Sequence, residues 1–217
     1  MICVYAIAAR PHRAIRARGI GGGPLEAIPA GRLAAIVGRV ARKPALTPAH
    51  LKAYDAAIAA LSRELPALLP VRFGTCVATA DDIALLLRSG ERSFRGALAA
   101  VRGRVQMTLR LVDTGAPADS TSAPEPAPAS GAAYLRQRAA KAARERDVPG
   151  FEPVRTTVQQ WVRDERVERR PGVVTVYHLI PAGSVQRYVR AVTRSAEAAG
   201  LRVRLAGPFA PYAFAAW

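Results

Sequence analysis

The chain has 217 residues, half of them hydrophobic, enough apolar material for one or two packed domains. Its 32 Lys and Arg residues against 16 acids give a formal charge of +16, and 29 of those cations are arginine, so the chain is expected to be drawn to an anionic partner: nucleic acid, acidic protein or a membrane surface. No apolar run approaches the ~20 residues that span a bilayer. No basic region precedes the apolar opening, as a signal peptide would require, and two cysteines are too few for a disulfide framework. These features describe a soluble, cytosolic protein.

Ile2 to Ala8 reads as a strand apolar on both faces. Ala9 to Gly23 is a loop rich in arginine that ends in glycines. A phosphate cradle needs a helix N-terminus behind such glycines, and here an extended segment follows, so a hairpin-type loop is the better reading. Leu25 to Ile28 and Leu33 to Val40 are strands around the turn Pro29-Ala30-Gly31. Thr47 offers an N-cap with Pro48 at the first helical position. Leu51, Tyr54, Ile58, Leu61 and Leu65 then lay one apolar stripe on a helix.

The stretch Leu69 to Val77, LPVRFGTCV, reads as a strand central to the first domain. Pro70 places its start at an edge or an end, and Gly74 marks a bulge or a close backbone approach. Cys3 and Cys76 both sit in apolar strand patterns and are expected as buried, reduced thiols. Thr79 caps a helix carrying Ile83, Leu86 and Leu87, interrupted at Ser89-Gly90. The stripe resumes at Phe94, Leu98 and Val101, and Gly103 ends it. Arg104 to Val112 alternates Val105, Met107, Leu109 and Leu111 with Arg104, Gln106, Thr108 and Arg110, which predicts one buried and one wet face.

Residues 1–113 thus form an α+β domain, helices on a mainly antiparallel sheet. Residues 114–130, rich in Pro, Ala and Ser, are a linker. Residues 131–217 form a second α+β domain. It starts with Tyr134 and an arginine-bearing helix, continues with a helix at Val154 to Val162, a strand at Val173 to Ile180, a helix from Val185 ending at Gly200, and a strand at Leu201 to Ala206. The aromatic tail GPFAPYAFAAW closes the chain.

The catalytic inventory is poor. His178 on a buried strand face reads as a core histidine with a satisfied ring. There is no metal-binding cysteine or histidine motif, no nucleophile elbow and no nucleotide-binding loop, so neither an enzyme nor a cofactor or metal is expected. Arg104 and Arg110 on an open sheet face resemble an RNA-reading sheet in outline, but such sheets stack bases on aromatics, and that face has none. An Arg-rich nucleic-acid-binding protein is the alternative reading.

Several segments, in order, resemble the gas vesicle L/F family (GvpL/GvpF). They are the opening strand around Val4-Tyr5-Ala6, the run Ala30-Gly31-Arg32-Leu33-Ala34-Ala35-Ile36-Val37, and LPVRFGT at Leu69 to Thr75. Gly103-Arg104-Val105-Gln106, Ser130-Gly131-Ala132-Ala133-Tyr134-Leu135 and Gly207-Pro208-Phe209-Ala210-Pro211-Tyr212-Ala213-Phe214 complete the set. Arg32 and Gln106 stand where the family usually has acids. The resemblance implies two α+β domains related to the ferredoxin-like fold and no catalysis. It implies an accessory or minor structural role in gas vesicle assembly in the cytoplasm, with the apolar shell protein and other vesicle proteins as partners. The candidate protein-interaction or interdomain residues are Arg72, Phe73, Gly74, Arg104, Arg110, Tyr134, Phe209, Pro211, Tyr212 and Phe214. The tail is expected to dock Phe209, Tyr212 and Phe214 near Val71 to Thr75 and to clamp the two domains.

Overall fold

A computed structural model describes residues 1–112 and 148–215. It divides into two compact units, Met1–Gln106 with Pro208–Trp217, and Met107–Gly207. The proposed linker, Tyr134 and the arginine-bearing helix at the start of the second domain lie outside the described residues.

In the first unit the centre is β1 (Ile2–Ala9), buried from Ile2 to Ala8. It pairs antiparallel with β3 (Leu33–Arg39), which continues to β2 (Leu25–Ala30). On its other side β1 pairs with β4 (Leu68–Pro70) and β5 (Cys76–Val77), giving the order β2-β3-β1-β4 with β5 also on β1. A strand flanked by strands on both edges must be apolar on both faces when helices or loops cover the sheet, and ICVYAIAA is.

The stretch Leu69 to Val77 is therefore not one central strand. It is two short edge strands separated by a turn, in which the Thr75 N–H donates to the Arg72 carbonyl at 3.2 Å. Gly74 takes φ +78 there, the left-handed region that a side chain would strain. Pro70 ends β4 at the sheet edge, where a missing N–H costs no ladder bond.

The two cysteines are also not free thiols. Cys3 and Cys76 are register partners across β1 and β5 and form a disulfide. Composition could not show this, because the pairing depends on the chain returning to β1 73 residues later.

Helix α1 (Pro48–Glu64) starts as the sequence dictates: the Thr47 hydroxyl accepts from the His50 N–H at 3.2 Å, and Pro48 opens the first turn. Its buried face is Tyr54, Ala57, Ile58 and Leu61; Leu51 is exposed instead. Helix α2 (Ala80–Ser89) carries a capping box in which Thr79 and Asp82 satisfy each other's end of the first turn. Helix α3 (Glu91–Val101) follows across Gly90 and buries Phe94, Leu98 and Val101.

The second sheet has the order β7-β8-β6-β9, formed by β6 (Arg104–Val112), β7 (Asp164–Arg170), β8 (Val173–Pro181) and β9 (Val203–Phe209). β7 and β8 are antiparallel and join through a tight turn. Helices α4 (Glu152–Val158) and α5 (Val185–Ala198) pack on each other and bury Val154, Val158, Tyr188, Val192 and Ala196. The face of β6 expected to be wet is not: Gln106 and Thr108 are buried, and only Arg110 of that alternate set is exposed. Among the described residues no helix is long and apolar enough to cross a membrane.

Candidate functional site

Two polar clusters are the candidates, one in each unit, and each is built from an apolar frame inward.

In the first unit, Tyr5 on β1 stacks on Tyr54 of α1 at 5.1 Å between ring centroids, and Phe73 meets Tyr54 edge-on at 5.5 Å. Such offset and edge-to-face pairs are the favoured geometries of aromatic quadrupoles. A buried phenol needs an acceptor. The Tyr54 hydroxyl has two carbonyls within reach, donating to that of Val71 with that of Tyr5 3.1 Å away. Burial pushes the Tyr54 hydroxyl well above the ordinary phenol range. The Tyr5 hydroxyl accepts from the Ile20 N–H at 2.8 Å. That contact explains Gly19: a Cβ there would stand 2.7 Å from the Tyr5 oxygen. Gly21 to Gly23 face open space, and the strand β2 follows them rather than a helix that could hold a phosphate.

The tail completes this cluster. Ala210 is buried in it, and Tyr212, like Phe73, packs against it. The Tyr212 hydroxyl donates to Asp55 Oδ1 at 3.0 Å, and the Ala213 N–H donates to Gln106 Oε1 at 2.7 Å. Gln106 is therefore buried because it holds the tail backbone. Phe214 is 5% exposed, and Pro211, also buried, accepts at its carbonyl from Phe214 and Ala215. Phe209 departs from the expectation that it docks: at 38% exposure it stays on the surface at the end of β9.

The ten candidate residues thus separate. Phe73 and Tyr212 both pack against the core cluster of the first unit, and Pro211 and Phe214 are buried in the tail beside Tyr212. Arg104 turns its guanidinium back to the Ala100 carbonyl and serves the end of α3. Gly74 shapes the turn after β4. Arg72, Arg110 and Phe209 remain exposed, and Tyr134 lies outside the described residues.

In the second unit, His178 on β8 is fully buried. Its Nε2 lies 2.8 Å from Glu165 Oε2 on β7, and its Nδ1 lies 2.6 Å from the Tyr188 hydroxyl on α5. A carboxylate only accepts, so Nε2–H is the donor to Glu165; in the neutral ring this leaves Nδ1 to accept from the Tyr188 O–H. Burial pushes the Tyr188 phenol far up, which keeps that proton in place. Glu165 is also gripped by Arg155 of α4, whose Nε and Nη2 both stand 3.3 Å from its oxygens. Arg155 reaches Glu152 at 2.7 Å and lies over the Phe151 ring at 5.5 Å. Burial raises the Glu165 pKa, but the bonds from His178 and Arg155 outweigh it and hold the carboxyl below its ordinary range.

Chemically this is a relay of satisfied groups rather than a reaction centre: His178 and Tyr188 are sealed from solvent at 0% exposure each. The core-histidine reading of His178 stands, but its partners were not foreseen. β7, DERVERR, is so charged that it does not read as a strand; its alternation of Glu165 and Val167, half-buried, against exposed Asp164 and Arg166 is the available signal. Among the described residues no group of three or more His, Cys, Asp or Glu could hold a metal ion.

Two α+β units of helices on antiparallel sheets, one of them closed by the C-terminal tail, define a fold that solved structures share. The crystal structure of the gas vesicle protein GvpF from Anabaena sp. PCC7120 matches with a TM-score of 0.76 at 14% identity, covering 100% of this chain and 96% of that one. GvpF from Microcystis aeruginosa matches with a TM-score of 0.75 at 16% identity, covering 100% and 99%. At those identities the likeness is one of fold. The sequence carries the rest. The family model described as "Gas vesicle synthesis protein GvpL/GvpF" matches residues 1–216. Gas vesicle protein L of Streptomyces sp. (strain CB03234) is 30% identical over 246 residues, covering 98% of this chain and 91% of that protein. The chain belongs to the GvpL/GvpF family of gas vesicle proteins, a structural and accessory family, and its membership supports a role in gas vesicle assembly.

Proposed function

We propose that this chain is a non-enzymatic accessory or minor structural protein that binds the apolar shell protein and other vesicle proteins during gas vesicle assembly in the cytoplasm. The observation that carries the reading is the family match along residues 1–216. The physical need is plain: a shell subunit with exposed apolar surface aggregates unless another protein covers it. The two polar clusters fit a binding protein. Among the described residues their buried side-chain polar atoms all have partners, and Tyr54, His178 and Tyr188 are closed by packing. Binding would fall to groups left on the surface, among them Arg72, Arg110 and Phe209.

The test is co-expression of the full chain with the vesicle shell protein. The shell protein should copurify with it, and deleting this chain from the vesicle-forming host should abolish or stunt vesicles. Affinity should fall with added salt, since exposed charges are screened within about 8 Å at physiological ionic strength. No copurification together with normal vesicles in the deletion strain would refute the reading. Tight binding of RNA by the purified chain would favour the nucleic-acid alternative.

A further inference from the structure

The elbow between α2 and α3 carries an open concavity of about 740 Å³ lined by Arg88, Ser89, Glu91, Arg92, Arg95 and Gly96. Its one acid, Glu91, sits 3.8 Å from Arg95. Arg88 and Arg92 have no ion pair among the described residues, and both are exposed. On the same helix Leu85 is 65% exposed and Leu86 44%. Leu85 stands one turn before Arg88 and Ser89, so it adjoins the rim of the concavity on the helix surface. A surface helix normally turns leucines inward; α2 does so with Ile83 and Leu87 and leaves these two outside.

We propose that the α2–α3 elbow is a docking site for an acidic amphipathic helix of a partner protein, its carboxylates in the arginine concavity and its apolar face on Leu85 and Leu86. The mixed chemistry selects this occupant. A purely apolar partner would bury Arg88 and Arg92 without counter-charges, which is strongly unfavourable. A nucleic acid would meet the Glu91 carboxylate, find no aromatic in the lining on which to stack a base, and leave the leucines uncovered. Guanidinium forks match carboxylates in pairs of hydrogen bonds, and leucines adjoining them match the other face of the same helix. The inference does not depend on the vesicle reading, because it concerns the chemistry of one surface and is tested with a synthetic partner.

The experiment titrates the full chain into a fluorescent helical peptide with leucines on one face and glutamates on another. Amide shifts are mapped in parallel by NMR. Binding should perturb Leu85 to Gly96, and Arg88→Glu with Arg92→Glu should weaken it by about tenfold or more. Leu85→Ser with Leu86→Ser should weaken it severalfold. The charge-matched control, Arg187→Glu with Arg190→Glu on exposed positions of α5, should leave it within about twofold. All the altered residues are on the surface, so unchanged melting shows that each variant folds. Equal loss from both arginine pairs would reduce the binding to general attraction for a +16 chain and overturn the proposal. So would equal affinity for a peptide with lysines in place of the glutamates, or competition by duplex DNA at the same amides. A concentration-dependent dimer that the Arg88→Glu and Arg92→Glu pair dissolves would assign the face to a second copy instead.

Discussion

The first unit satisfies its buried polar groups with tyrosine hydroxyls on backbone groups; the second uses a connected series, Tyr188 to His178 to Glu165 to Arg155 to Glu152. The buried tyrosine pair of the first is neutral. Tyr5 and Tyr54 find a donor and an acceptor that the backbone already supplies, and the tail's Tyr212 reaches a surface carboxylate, Asp55, so the loss of one bond leaves the others standing. The second contains charges, and each member holds its neighbour's charge or orientation. Removing one strands the next in a low-dielectric setting, where an unpaired group is costly. The first unit adds two ties of long sequence range, the disulfide and the tail, which the second unit does not show among the described residues.

The largest break in this contrast should come from Glu165→Ala. It leaves buried His178 without its acceptor and Arg155 without one counter-charge, and removal of one partner from a buried pair costs about 3–5 kcal/mol. Hydrogen exchange should show the loss in α4, α5, β7 and β8, with α1 and β1 unchanged. Loss spread evenly over both units would show that the two do not fold as separate cooperative blocks.

Much of this architecture was legible in the chain. The Thr47-Pro48 start of α1, the Thr79 cap, the break at Ser89-Gly90 and the β2–β3 hairpin are local rules, and the structure follows them. The failures that reassign whole elements are long-range, while Leu51, Leu86 and Phe209, expected inside, stay exposed. Which strand lies at the centre of the first sheet depends on what pairs with it, so Ile2–Ala9 and Leu69–Val77 exchange roles between the sequence reading and the fold. Gln106 looked solvent-facing because its partner, the backbone of Ala213, comes from 107 residues away. In the site, the burial of His178 was readable from the apolar run around it. So was that of Tyr188 on the apolar stripe of its helix, but not its bond to His178, and Glu165 was not, because it arrives from a charged edge strand.

The disulfide tests the first unit in turn. Cys3→Ala, or a reductant, should lower its stability by roughly 2–4 kcal/mol, since closing a long loop restricts the unfolded chain. The register Cys3↔Cys76 should then fray first, at the end of β1 where β5 contributes only two residues. Thermal unfolding in the presence and absence of reductant measures it; an unchanged first transition would mean that the β1–β5 pairing carries no constraint on the unfolded chain.

Acid should act on the second unit before the first. The carboxyl of Glu165 is held below its ordinary value of 4.5 by His178 and Arg155 despite its burial. A group depressed in the fold contributes stability that is complete above its unfolded value and is lost as pH falls through its folded value. Urea midpoints for the second unit should therefore drop as pH falls past 4.5, and Glu165→Gln should flatten that limb. A limb of unchanged steepness in Glu165→Gln would move the acid sensitivity to another group, with Glu168, also depressed by its bonds to Tyr177 and Arg170, the next to replace.

The finest comparison removes the same atom from each unit. Tyr212→Phe deletes a hydroxyl whose acceptor, Asp55, is at the surface; water replaces the lost donor, and the cost should be about 0.5–1.5 kcal/mol or less. The tail should remain docked, because Ala210, Phe214 and the Gln106 bond still hold it. Tyr188→Phe deletes a hydroxyl whose acceptor is His178 Nδ1, which water cannot reach. The buried nitrogen is left unsatisfied, at about 1–3 kcal/mol, and the ring loses the contact that fixes its orientation toward Glu165. Equilibrium unfolding of the two variants should therefore rank Tyr188→Phe as the more damaging, and only that change should also alter the acid limb, because it loosens the histidine that holds Glu165 low. If Tyr212→Phe proves the costlier of the two, the tail is held by its single exposed hydrogen bond rather than by packing, and the contrast between a neutral, redundant cluster and a charged, interdependent one fails.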